Sequence, residues 1–201
     1  MFSPLLVTVA YIAAQMLSDI GSLQIVRFLG MSLDAGTFIY PITFTLRDIA
    51  HKVMGIKGVR VLIISAAAVN IIMAIYFWLV SLMAPDTQAG SSEIWGRVLS
   101  PVWRITIASI LAEVFSELVD TEIYQVWVTR ITTKYQWMRV LISNTFSVPL
   151  DTIIFVFLAF YGTMPIISVW QIILGNILLK AIVTVVSLPM IYLVKERAAE
   201  G

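Results

Sequence analysis

Cysteine is absent from this chain and histidine occurs once, as His51. Without thiols there is no disulfide framework, no thiolate nucleophile and no zinc–thiolate site, and one imidazole cannot build a metal cluster. Charge is scarce too: 12% of the residues are charged and the net charge is +1, which leaves no basic field to hold nucleic acid. The phosphate-binding pattern G-x-x-x-x-G-K-[ST], the G-x-S-x-G elbow, the H-E-x-x-H pair and Asp-rich metal motifs are all missing. The chain cannot hydrolyse ATP by itself, and an enzymatic reading is disfavoured. No cofactor is expected.

What the chain has in quantity is apolar length. Hydrophobic residues make up 60% and the mean hydropathy is +0.95, more than a dispersed soluble core tolerates. Apolar windows near twenty residues suffice to cross about 30 Å of hydrocarbon. The expected fold is all-α, a single six-helix transmembrane domain over residues 1–201. Spans are predicted at 4–26, 36–55, 60–83, 103–127, 139–161 and 166–194. The first stretch lacks a cationic leader and an A-x-A site and is too long for a signal-peptide core, so it reads as a retained helix. Turn chemistry puts breaks at 30–36, 55–58, 85–101, 129–136 and 162–165. The 85–101 loop is the longest, and its Asp86-Thr87-Gln88-Ala89-Gly90-Ser91-Ser92 run reads as flexible and solvated. The tryptophans fall largely near span ends, as interfacial anchors do.

Lysine and arginine orient the spans. Lys52, Lys57, Arg60, Arg130, Lys134, Arg139, Lys195 and Arg197 all fall on one side of a six-span chain, against Arg27, Arg97 and Arg104 on the other. Both termini are therefore expected in the cytoplasm. A short internal match, Thr37-Phe38-Ile39-Tyr40-Pro41 with Thr145-Phe146-Ser147-Val148-Pro149, suggests a 3+3 inverted repeat of the kind that builds carriers around a central site.

Several acids lie at depths a bilayer disfavours, where a charge costs roughly 2.5–3.5 kcal/mol. Glu113, Glu117 and Asp120 fall at i, i+4 and i+7, and Asn144, Ser147 and Asp151 at i, i+3 and i+7. Tyr40, Phe44 and Asp48 share a face, with Arg47 beside Asp48. Asn176 and Lys180 stand four apart, and the first span offers Gln15, Asp19 and Ser22. Such stripes either converge on a polar cavity or pair among themselves and lock helices together. The acids outnumber the internal cations Arg47 and Lys180, which favours a donor-rich or cationic ligand, or a bound proton. Pro41 and Pro149, inside apolar spans, predict kinks or breaks. Ala10, Ala14 and Ser18 form a small-residue strip suited to internal packing, a homodimer or a partner subunit.

The run Asp34-Ala35-Gly36-Thr37-Phe38-Ile39-Tyr40-Pro41, followed by Asp48 and Gly55, resembles the second-span signature of the queuosine precursor transporter family, earlier the vitamin-uptake group. Arg104 through Ala112 to Asp120, Arg139 through Ser143 to Asp151-Thr152, and Lys180 with Leu188-Pro189-Met190 are similar too. The resemblance runs from about residue 5 to 195. Asp19, where an Asn is common, Lys52, where an acid is frequent, and Val148-Pro149 depart from the pattern and bear on fine substrate preference.

The resemblance implies a multi-pass protein of the bacterial cytoplasmic (inner) membrane. It would import 7-cyano-7-deazaguanine or 7-aminomethyl-7-deazaguanine, a deazapurine base salvaged for tRNA modification. A guanine-like edge sets an N–H beside an amino group, which one carboxylate accepts in bidentate fashion. Glu117 and Asp151 are the candidate acceptors for that edge. Asp48 and Asp120 are candidates for the substituent or a coupled proton, and Asn144 for the carbonyl side. Tyr40 or Phe44 would cover the heterocycle. Lys180 either donates to the carbonyl or neutralises Asp151. The alternatives are a substrate-binding subunit of an importer with a separate ATP-driven module, an intramembrane enzyme using paired acids, and a channel.

Overall fold

The computed structural model of the protein describes residues 3–88, 90, 93–131, 136–187 and 189. Some helix side chains fall outside that description, among them those of Asp48, His51, Lys52, Glu117, Asp120 and Arg139, as do residues Lys134, Lys195 and Arg197 altogether.

Helix α1 runs Pro4–Gly21, with Pro4 in the first turn behind an extended Ser3 (ψ 139°). Proline suits that position because its missing N–H would have had no helical partner. The face α1 turns inward is the polar one: Tyr11, Gln15, Ser18 and Asp19 are buried while Leu5, Leu6, Val9 and Leu17 point out. A soluble helix is arranged the other way round. This inversion fits a helix whose solvent is lipid.

The first span was expected to reach residue 26, but the helix stops at Gly21. Beyond it a short antiparallel hairpin forms, β1 (Ile25–Phe28) with β2 (Met31–Asp34), in register Ile25↔Asp34 to Phe28↔Met31. Its two-residue turn has positive φ at Leu29 (49°) and Gly30 (82°), the type I′ geometry that matches strand twist. Leu33 carries the hairpin onto α6, where Gly175 makes room: a β-carbon there would lie 2.5 Å from Leu33 Cδ2 and 2.9 Å from the Ser32 carbonyl oxygen. Asp34 then caps a 3-10 turn, Ala35–Phe38, accepting from the Thr37 backbone N–H at 3.1 Å.

Helix α2 spans Tyr40–Ser81 and breaks at Gly55 (φ 69°, ψ 176°), inside the turn region expected at 55–58. Pro41 was expected to kink a span. It sits instead in the first turn of α2, where it displaces no helical hydrogen bond. Helix α5 runs through Pro149. The segment 85–101, expected as a loop, contains a short helix, α3 (Ile94–Leu99). Helices α4 (Val102–Arg130), α5 (Gln136–Phe160) and α6 (Ile166–Ser187) complete the chain. Arg104 at the start of α4 donates to the Leu158 and Tyr161 carbonyls at 2.7 and 2.6 Å, filling acceptors left open at the end of α5.

Among the described residues, five stretches are long and apolar enough to cross a membrane: Pro4–Gly21, Lys57–Ser81, Ile94–Ser116, Leu141–Phe160 and Ile166–Ser187. The limb of α2 before Gly55 is not among them. At 1.5 Å per residue it reaches about 22 Å, short of a full hydrocarbon layer. The chain is a helical, multi-pass membrane protein. Ile105, Ala108, Ala112, Phe155, Val156, Val169, Ile172 and Ile173 form its largest apolar core, between α4, α5 and α6.

Candidate functional site

Inward faces of the helices and the capped turn meet around a polar void. Ser18, Asp19 and Ser22 reach it from α1 and its end, Asp34 and Thr37 from the hairpin and 3-10 turn, and Tyr40 from the start of α2. Ser109 and Ala112 of α4, Asp151 and Phe155 of α5, and Lys180 of α6 close it. The periodicity explains the convergence. Ser18 and Ser22 lie one turn apart, as do Asp151 and Phe155, and each pair shares a helical stripe. With its open mouth the void measures about 270 Å³, but its interior is tight, with room for about one water.

Each acid in the void has a different set of partners. Asp151, 1% exposed, accepts from Lys180 Nζ at 2.6 Å and from Tyr40 Oη at 3.2 Å. The Lys180 ammonium also lies 4.6 Å from the centre of the Tyr40 ring, a cation–π contact. Asp34 accepts from Ser22 Oγ at 2.7 Å, from the Thr37 N–H and hydroxyl at 3.1 and 2.7 Å, and from the Asn176 side-chain amide. Those neutral donors make it the knot that ties the hairpin, α1 and α6 together. Asp19 is equally buried, yet no donor reaches its Oδ2 among the described residues.

A second network adjoins α1. Tyr11 Oη donates to Glu113 Oε1 at 2.5 Å, Gln15 Nε2 donates to both Glu113 oxygens at 2.9 and 3.0 Å, and Asn70 Nδ2 donates to Gln15 Oε1 at 3.2 Å. Glu113 thus joins α4 to α1 and α2, with donors around its carboxylate.

Of the sequence candidates, Tyr40, Asp151 and Lys180 come together in the void. Phe44 packs edge-on against Tyr40 (centroids 5.3 Å apart) with Val148 behind, and the Arg47 guanidinium stands 5.4 Å over its ring. Phe44 supports the Tyr40 wall without lining the void. Asn144 is half-buried on α5 and does not line it either. The side chains of Asp48, Glu117 and Asp120 lie outside the described residues. Asp34, Thr37 and Asn176 were not singled out as site residues. Asp34 reads in sequence as a turn residue, and its signal was the Asp-x-x-Thr cap spacing. No group of ligand residues suited to a metal ion occurs among the described residues.

No solved structure matches the chain. A curated relative from Bacillus subtilis (strain 168), named "Probable queuosine precursor transporter", is 25% identical over 186 residues, covering 91% of this chain and 80% of the relative. The family model described as "Putative vitamin uptake transporter" matches residues 34–194, from the capping Asp34 through α6. That match takes in most of the chain, and the protein accordingly belongs to the vitamin uptake transporter family of membrane carriers.

Proposed function

We propose that this protein imports a 7-deazaguanine precursor of queuosine, in the 7-cyano or 7-aminomethyl form, across the bacterial cytoplasmic membrane with both termini inside. One observation carries the reading: a void buried in a membrane-spanning bundle is lined by Asp151, Tyr40 and Lys180. Charged groups kept from lipid by such a fold mark a solute path. The name of the Bacillus subtilis relative, a probable transporter of a queuosine precursor, supports that class of cargo.

In this reading the pair Lys180–Asp151 neutralises itself while the site is unliganded. A guanine-like edge brings an N–H and an amino group to the Asp151 carboxylate, which keeps lone pairs beyond those used by Lys180 and Tyr40. Lys180 swings toward the ring carbonyl, and Tyr40, steadied by Phe44, covers the heterocycle. The void is too tight for two fused rings, so binding parts the walls, which couples occupancy to conformational exchange. Asp48, Asp120 and Asn144 lie about two turns, and Glu117 about one and a half, along their helices from Tyr40, Ala112 and Asp151, toward the predicted cytoplasmic ends. They are the proposed release route, with the acids as candidates for a coupled proton.

Vesicles containing this chain alone test the reading. Uptake of labelled 7-aminomethyl- or 7-cyano-7-deazaguanine, abolished by Asp151→Asn, is the expected outcome. Uptake only after ATP-driven partner subunits are added would make the chain a binding subunit, and chemical change of the base by the pure protein would make it an enzyme.

A further inference from the structure

We propose that the Asp19 carboxylate seats a primary ammonium carried by the cargo, so that the carrier selects the aminomethyl form of the deazaguanine over uncharged forms. The inference rests on the deazaguanine reading of the void. It follows from comparing the acids that line that void. Asp151 has a lysine and a phenol, and Asp34 has donors from Ser22, Thr37 and Asn176. Asp19 is 2% exposed, and no donor among the described residues reaches its Oδ2. Thr106, 0% exposed, and Ser109, which lines the void, set neutral hydroxyls beside the carboxylate, and neither brings a charge.

A buried carboxylate without a countercharge is expensive, and more so with one oxygen left without a donor. This corner offers a carboxylate and two neutral hydroxyls, and no cation. A primary ammonium brings three N–H donors and one positive charge, which answers both needs at once. A hard metal ion wants six or more oxygens, more than Asp19, Thr106 and Ser109 supply. The formal charge agrees: Asp19, Asp34 and Asp151 face one ammonium, Lys180, and a cationic cargo reduces the excess. At the 2% exposure of Asp19 the pair gains from the low local dielectric.

The test is binding of 7-aminomethyl-7-deazaguanine and its 7-hydroxymethyl counterpart, near in shape but uncharged, to the purified full chain. Wild type is expected to prefer the amine about tenfold or more, the range of a charged hydrogen bond. Asp19→Asn should erase that preference by weakening the amine alone. Thr106→Val should lower amine affinity a few-fold, and together with the wild-type ratio it decides the matter even where Asp19→Asn fails to fold. Equal affinity of wild type for both ligands, or equal weakening of both by Asp19→Asn, overturns the inference and leaves the deazaguanine reading standing. Failure of wild type to bind either ligand overturns both.

Discussion

Lys180 and Asp151 face each other across 2.6 Å at 2% and 1% exposure. At that depth, removing one partner leaves an uncompensated charge, which costs about 3–5 kcal/mol. Lys180→Met is therefore expected to lower the unfolding temperature of the purified protein sharply. The double variant Lys180→Met/Asp151→Leu, in which both charges leave, should recover much of the loss. A single variant that unfolds with wild type would show that the pair contributes nothing. Residues of this kind were legible in sequence because a charge inside an apolar stretch must turn away from lipid, and helical spacing says which neighbours turn with it. Asp34 was less legible. Its burial depends on a hairpin folding back onto α6, which no local pattern announces.

At the scale of elements, glycines decide how closely the pieces sit. A β-carbon at Gly36 would lie 2.2 Å from the Ser18 carbonyl oxygen and from Ser22 Oγ, so α1 and the capped turn touch only because it is absent. Gly36→Ala is expected to cost about 1–3 kcal/mol and to weaken ligand binding, since Asp34, Thr37 and Tyr40 ride on that turn. Thermal unfolding and ligand titration of this variant check both; wild-type values for each would mean the contact is slack. The breaks at Gly55 and Gly162 were readable from glycine alone, both having positive φ. The hairpin was not, because Leu29-Gly30 is no standard hairpin dipeptide and the apolar run Ile25-Val26 looks like continued helix. Pro41 was misread for a related reason. Whether a proline kinks a helix or starts one depends on where the helix begins, and here the Asp34 cap sets that point.

For the whole molecule, the course of the limb of α2 before Gly55 decides the number of crossings. If it crosses the layer, residue 57 is cytoplasmic and residues 87 and 163 are external. The absence of native cysteine makes single-cysteine labelling clean. With a membrane-impermeant maleimide on intact cells, Thr87→Cys and Thr163→Cys are expected to react and Lys57→Cys to stay protected until the cells are opened. Labelling of Lys57→Cys from outside would refute the six-span arrangement and with it the 3+3 repeat. The helical, lipid-facing class was plain from hydropathy, because bilayer thickness imposes a length that no soluble helix needs. The packing that brings Asp19, Asp151 and Lys180 to one void was visible only as stripes, since spacing along a helix does not say which helix faces which.

The most direct trial of the account is equilibrium titration of the purified protein with 7-aminomethyl-7-deazaguanine, set beside a panel of vitamins and repeated with Asp151→Asn. The account predicts saturable binding of the deazapurine alone, weakened roughly tenfold to a hundredfold by the substitution, as loss of a charged acceptor implies. Binding that is unchanged in Asp151→Asn, or a vitamin bound in preference to the deazapurine, would contradict it.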